Sequence, residues 1–349
     1  VSTHSATPRG PRRGVYLAAL LAACLAAWPA WPATAAGSLV RAVDSVGIPV
    51  TDAKRSIAFY TQVLHFHELS ERTVAGATYE QWAGTPGVRL RAVRLGLGSE
   101  SIELLQFLSP PGRPVPADPH SNDRWFEHVA IIVSDMDAAY AWLVAHQVRA
   151  VSAGPQVLPA WNPAAGGIAA FYFKDPDGNP LEILHFPAGK GAARWHQPAQ
   201  ALFLGIDHTA IAVSDTAASL AYYRDALGFS VAGESDNYGA EQERLSGVAG
   251  AHVHITTLRA LAGPGVELLE YVMPRNGRPY PADSHASDHW QWILNLRAAP
   301  GSTADTIDRL RHSTWISGRP SELGDAALGF RSALMLRDPD GHADNLILR

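Results

Sequence analysis

The chain has 349 residues, of which 47% are hydrophobic and 17% charged, with a formal charge of −5 at neutral pH. That length fits two domains better than one, and the composition excludes a disordered chain. The small net charge gives no reason to expect nucleic acid or an acidic membrane surface as partner, and the single cysteine, Cys24, excludes an internal disulfide framework and any cysteine-based metal cluster.

Residues 1–36 read as a secretory signal peptide. Arg9, Arg12 and Arg13 precede an apolar run from Val15 to Trp28, and the small residues Ala33-Thr34-Ala35-Ala36 follow. Pro29 and Pro32 end the run too soon for a spanning helix, so no membrane span is expected. The expected location is outside the cytoplasm, periplasmic or secreted. Leu21-Ala22-Ala23-Cys24 offers an alternative, a lipoprotein anchored through Cys24.

The remaining chain repeats itself. Asp44 to Phe66 aligns without a gap with Asp207 to Phe229, and nine of 23 positions are identical, among them Asp44/Asp207, Asp52/Asp215, Tyr60/Tyr223 and Phe66/Phe229. Further matches join Ile102-Glu103-Leu104-Leu105 to Val266-Glu267-Leu268-Leu269, and Gly112-Arg113-Pro114 to Gly277-Arg278-Pro279. A third joins Asp175-Pro176-Asp177-Gly178 to Asp338-Pro339-Asp340-Gly341. The halves are residues 43–186 and 205–349, with a Gly/Ala/Pro-rich linker over 187–204.

Each half divides again into strand, helix and three strands. An alternating strand (Val46, Ile48, Val50) leads through Asp52, an N-cap, into an amphipathic helix. The unit recurs with a strand from His128 to Val133, a cap at Ser134 or Asp135 and a helix from Met136 to His146. It closes with a strand from Leu181 to Phe186, entered through the Asp-Pro-Asp-Gly turn. Four such βαβββ modules are the organisation.

A chain of this kind resembles the vicinal oxygen chelate superfamily, which includes glyoxalase I, extradiol dioxygenases, and bleomycin and fosfomycin resistance proteins. The residues that carry the resemblance are Asp207 through Val213, the Ser219 to Phe229 helix, Val266-Glu267-Leu268-Leu269, and Phe171 through Glu182. It implies an α+β fold in which four modules form two cup-shaped half-barrels, tandem glyoxalase-like domains over 43–186 and 205–349. Each cup takes ligands from the first and last strands of two modules.

Carried over position by position, module one offers Ser45 and Glu103, module two His128 and Glu182, module three His208 and Glu267, and module four Ile293 and Asn345. Pairing the modules in chain order leaves both cups incomplete. Pairing the inner modules with each other, and the outer with each other, gives one cup all four ligands: His128, Glu182, His208 and Glu267. That pairing is the expectation, with one divalent transition metal, Fe²⁺, Mn²⁺, Ni²⁺, Co²⁺ or Zn²⁺.

The resemblance then implies an exported metal-dependent enzyme acting on a small oxygenated metabolite through a metal-bound enediolate. The chemistry is of glyoxalase-like lyase or isomerase type, or a dioxygenase reaction, with Glu182 or Glu267 as general base. The alternative is a non-catalytic protein of the same fold that binds and sequesters a small molecule. No histidine precedes Phe171-Tyr172 at the spacing expected for ring-cleaving dioxygenases, where Ala164, Ala165 and Gly166 stand. Weaker substrate-contact candidates are His252, His254 and Tyr172, with solvent-facing or packing roles as their ordinary alternatives. Gly-Arg-Pro, present in both halves, is expected to hold modules together. Two cups in one chain make a monomer sufficient.

Overall fold

Modules one, two and three each open on a strand that ends at an aspartate capping the following helix. In the computed structural model, which describes residues 1–2, 38–198, 200–301, 310, 313–324 and 326–348, Asp52 accepts from the amides of Lys54 at 2.9 Å and Arg55 at 3.2 Å. Asp215 does the same for Ala217 at 2.8 Å and Ala218 at 3.1 Å. These bonds satisfy amides that the first helical turn leaves free. In module two the cap is Asp135, which accepts from Ala138, while Ser134 turns away to the Ala201 carbonyl. The basic, apolar and small-residue stretch, with Cys24, lies outside the described residues. Among the described residues, no helix is long and apolar enough to cross a membrane.

Module one consists of β1 (Val40–Pro49), α1 (Ala53–Gln62), β2 (His67–Ala75), α2 (Ala77–Ala83), β3 (Arg89–Leu97) and β4 (Glu100–Ser109). Module two consists of β5 (Glu127–Val133), α3 (Met136–Ala145), the short β6 (Arg149–Ala150) and β7 (Gln156–Val157), β8 (Ala169–Lys174) and β9 (Pro180–His185). Module three has β10 (Phe203–Val213), α4 (Thr216–Leu220) running into a wider turn over Ala221–Ala226, β11 (Ser230–Tyr238), α5 (Ala240–Ser246), β12 (His252–Arg259) and β13 (Gly265–Met273). Module four has β14 (Ile293–Ala298), β15 (Thr314–Trp315), β16 (Ser321–Glu322), β17 (Ser332–Arg337) and β18 (Ala343–Ile347). The short helices α2 and α5 were not expected from the repeat. Each ends on a glycine in the left-handed region, Gly84 at φ 60° and Gly247 at φ 69°, which closes the last turn.

The strands form two mixed sheets, and these do not follow the halves of the sequence. One sheet runs β15-β17-β18-β14-β1-β4-β3-β2 and so joins modules one and four. The other runs β11-β12-β13-β10-β5-β9-β8-β6 and joins modules two and three. The inner modules therefore share one cup and the outer modules the other. In the inner sheet the module boundary is the antiparallel β5–β10 pair, with His208 opposite Ala130 and Ala210 opposite His128. The outer sheet repeats this with β1 and β14, Ser45 opposite Asn295 and Gly47 opposite Ile293.

One apolar core binds both sheets. Ile48, Tyr60 and Leu104 of module one share it with Ile131, Phe171 and Ile183 of module two, Ile211 and Tyr223 of module three, and Leu334 and Leu346 of module four. Burying such side chains contributes about 1.5–3 kcal/mol each. Each cup has a smaller apolar lining of its own: Phe126, Tyr172, Leu269 and Tyr271 in the inner, Trp82, Leu105 and Phe330 in the outer.

Two sequence motifs turn out to be long-range ties. Asp177 of the first Asp-Pro-Asp-Gly turn accepts from Arg55 at 2.7 Å, Ser56 at 3.1 Å and the Thr51 amide at 3.1 Å, all at the start of α1. Asp340 of the second accepts from the Ser214 amide at 2.8 Å. The Gly-Arg-Pro segments are exchanged: Arg113 grips Asp288 of module four through two guanidinium nitrogens at 3.0 and 2.7 Å, and Arg278 grips Asp123 of module two at 2.9 and 2.6 Å. The glycines are required by close approach, since a Cβ on Gly112 would overlap the Ser287 carbonyl and one on Gly277 that of Asn122. The intermodule role expected for this segment matches what these contacts do.

Candidate metal centre

Four neighbouring strands, β13, β10, β5 and β9, each present one polar side chain to the inner cup: Glu267, His208, His128 and Glu182 in that order. Side-chain alternation aims them all at the same face. Ligand atoms of His128, Glu182 and His208 all lie within 4.8 Å of one another, and all three residues are buried. His128 Nε2 donates to Glu182 Oε2 at 3.2 Å. His208 Nε2 stands 3.6 Å from the same oxygen and 3.3 Å from Glu267 Oε2. Glu267 is the most open of the four, its side chain 18% exposed, and its other oxygen accepts from Thr257 Oγ1 at 2.8 Å.

The two imidazoles are held differently. His208 Nδ1 faces Asp207 Oδ2 at 3.1 Å, and Asp207 is itself fixed by Arg259 at 2.9 Å and the Trp195 indole at 3.1 Å. A carboxylate behind a ligand histidine fixes its tautomer and raises its basicity. His128 Nδ1 is buried with no partner among the described residues. Its ring instead sits between aromatics, 4.8 Å from Tyr172 and 5.6 Å from Phe126 by ring centroid.

Charge is concentrated here. At His208, Glu182 and Asp207 burial works against ionisation, and the neighbours reverse it. For His208 burial opposes the charge, but Glu267, Asp207 and Glu182 push its pKa up to about 10. Burial would raise Glu182, yet hydrogen bonds from His128 and His208 hold it below the ordinary glutamate range. Asp207 is likewise lowered, burial being outweighed by His208 and Arg259. Tyr172 goes the other way: burial, then Glu182, pushes its phenol well above the usual value, so it keeps its proton. Two carboxylates and two imidazoles at this spacing fit a divalent transition ion, whose charge would offset that of the carboxylates.

Among the described residues, the outer cup has no such set. Ser45 donates to Glu103 at 3.1 Å, Asn295 to Ser45 at 3.0 Å, Asn345 to Asn295 at 2.8 Å, and Trp82 to Asn345 at 2.9 Å. Ile293 stands where the inner cup has His128, packed in the apolar lining.

The other sequence candidates fall in different places. Tyr172 lines the inner cup beside His128, directly opposite Glu182 on the neighbouring strand. His252 and His254 do not reach the cup. Thr257 and Ile255 share the cup face of β12, so the histidines point to the opposite side, where both approach Asp236 at 3.2 and 3.3 Å. Asp207, Arg259, Thr257 and Trp195 were not singled out beforehand. For Asp207 a signal was present, its identity with Asp44 in the repeat; Trp195 sits in the linker, where the sequence pattern gives none.

Comparison with known proteins agrees with this architecture. The family model for the glyoxalase/bleomycin resistance protein/dioxygenase superfamily matches residues 42–183 and again 205–343. A 2-epi-5-epi-valiolone epimerase from Actinomyces is 30% identical over 154 residues, covering 42% of this chain and 81% of that protein. An uncharacterised Escherichia coli protein, YaeR, is 31% identical over 146 residues, 41% of this chain and 95% of its own. Maize glyoxalase I superposes over 89% of this chain and 92% of its own, with a TM-score of 0.56 at 16% identity. A Bacillus subtilis putative dioxygenase gives 0.53 at 12% identity over 89% and 86%. With both halves matched and the crosswise cups in place, the chain belongs to the glyoxalase/bleomycin resistance protein/dioxygenase superfamily.

Proposed function

We propose that the protein is a metal-dependent enzyme that moves a proton on a small oxygenated metabolite, of isomerase or lyase type. The observation that carries this is the inner cup itself: His128, Glu182 and His208 within 4.8 Å, with Glu267 3.3 Å from His208. A divalent transition ion held by these four would supply Lewis-acid polarisation of a substrate oxygen. Glu267 is the proton acceptor in this reading, because it is the most open ligand and Thr257 binds only one of its oxygens. Glu182, buried between both histidines, acts as an anchor. Tyr172, protonated and beside His128, serves as a donor toward a bound oxygen. The likeness to an epimerase supports proton chemistry over oxygen chemistry. All four ligands come from one chain, so a monomer suffices. Export is part of the same proposal and rests on the residue order of 9–36.

The test is solvent exchange. Metal-loaded protein is incubated in D₂O with a panel of small α-hydroxy ketones and aldehydes, and deuterium at the carbon beside the carbonyl is followed by mass. Incorporation by wild type that Glu267→Gln abolishes supports the proposal. No incorporation with any member, while small carbonyl compounds still bind stoichiometrically, would favour a sequestering protein.

A further inference from the structure

The two halves differ beside the exchanged Gly-Arg-Pro segments, and the difference leaves a cavity. In the second half Tyr280 fills the seam: its hydroxyl donates to the Trp290 carbonyl at 3.0 Å, its ring lies against Gly341, and its centroid is 5.4 Å from that of His342. Trp290 Nε1 donates to Ser284 at 2.8 Å, and Arg337 is spent on the Gln291 side chain and the Gly341 and Ser284 carbonyls. The repeat puts Val115 opposite Tyr280, Pro119 opposite Ser284 and Lys174 opposite Arg337. Each exchange removes a filler or a partner.

What remains is a cavity of about 140 Å³ lined by Val115, Pro119, Trp125, Lys174, Gly178 and Trp290. An apolar cavity of about 150 Å³ admits one benzene ring. Among the described residues the buried Trp125 indole N–H has no acceptor, where its counterpart Trp290 has Ser284. Lys174 is half-buried; burial, then Arg149 beside it, holds its ammonium below the ordinary range, and among the described residues no carboxylate pairs with it. A half-buried cation at the edge of a ring-sized hole calls for an anionic group on a flat body. Phe126 separates this cavity from the metal centre, lining it while its ring stands 5.6 Å from His128.

We propose that this cavity is a binding site for a small monocyclic aromatic acid. The ring takes the seat that Tyr280 fills in the other half, between Trp125 and Trp290. The carboxylate meets Lys174. The site is independent of the metal and of the proposed reaction.

Benzoate is the probe, titrated against the full chain by tryptophan fluorescence and calorimetry, with phenol as the uncharged comparison. Wild type binds one equivalent of benzoate saturably. Val115→Tyr restores the residue of the other half and abolishes binding while circular dichroism stays native. Lys174→Met keeps the cavity and weakens benzoate by about tenfold with little change for phenol, as loss of a charge-assisted bond requires. His208→Ala leaves benzoate binding intact, which separates this site from the metal centre. No saturable binding to wild type, or equal binding by Val115→Tyr, overturns the proposal.

Discussion

The two cups share a scaffold and differ in what stands on it. Asp207 pairs with Arg259 at 2.9 Å in the inner cup, and Asp44 with Arg94 at 2.8 Å in the outer. In the inner cup that aspartate orients an imidazole; in the outer, serine replaces the imidazole and nothing remains to orient. Asn295, where the inner cup has Ala130, then fills the centre and links Ser45 to Asn345. Glu103 survives, but burial, only partly offset by Arg94 and Ser45, raises its pKa. The difference teaches that a lost ligand site does not stay open: amides and an indole close it into a hydrogen-bonded plug, because unpaired buried polar groups are costly.

The largest expected effect is a gain. Ser45→His, Ile293→His, Asn345→Glu and Asn295→Ala together rebuild the outer cup in the image of the inner one. Metal analysis should show a second equivalent bound; a protein that folds and still holds no more metal than wild type would mean that the scaffold differs more than its residues. Next, Asp207→Asn should weaken metal affinity by about 10–100-fold, as loss of a partner behind a ligand histidine does, whereas Asp44→Asn should leave it unchanged. Competition with a chelator reads both.

A stability effect follows from the same repeat. Asp344, fully buried beside the Tyr222 hydroxyl, has neither oxygen in a good hydrogen bond among the described residues and stands where module two has Leu181. Asp344→Leu should stabilise the protein by about 1–2 kcal/mol in urea unfolding, since burying an unpaired carboxyl is unfavourable. The smallest effect is in pH. Glu103 has a folded pKa above its unfolded one, so its contribution is full below the unfolded value and is lost as pH rises through the folded one. As pH rises from the ordinary glutamate value through the raised folded one, wild type should lose stability relative to Glu103→Gln, with a slope no steeper than about 1.4 kcal/mol per pH unit. A constant difference between the two would contradict the raised pKa.

Much of this was legible in the residues. The ungapped match of Asp44–Phe66 to Asp207–Phe229 exposed the modules, and the register of Arg113 with Arg278 put Ile293 opposite His128, which the β1–β14 and β5–β10 pairings reproduce. Pairing of the inner modules followed from counting ligands, and the sheets have that order. The orientation of His252 and His254 was not legible, because alternation says that two residues share a face but not which one. That is fixed by Thr257 standing opposite Glu267 across β12 and β13. Asn295 and Trp82, which close the outer cup, were equally invisible: their role depends on contacts from distant parts of the chain. The cavity at Val115 was present as a mismatch in the Gly-Arg-Pro alignment, but its meaning needed the neighbours of Tyr280.

The most direct measurement is metal content of the purified protein by elemental analysis, in wild type, His208→Ala and Ser45→Ala. One equivalent of a divalent transition metal in wild type, lost in His208→Ala and retained in Ser45→Ala, is the expected result. Equal metal in all three, or none in wild type after reconstitution with each candidate ion, would contradict a single centre in the inner cup.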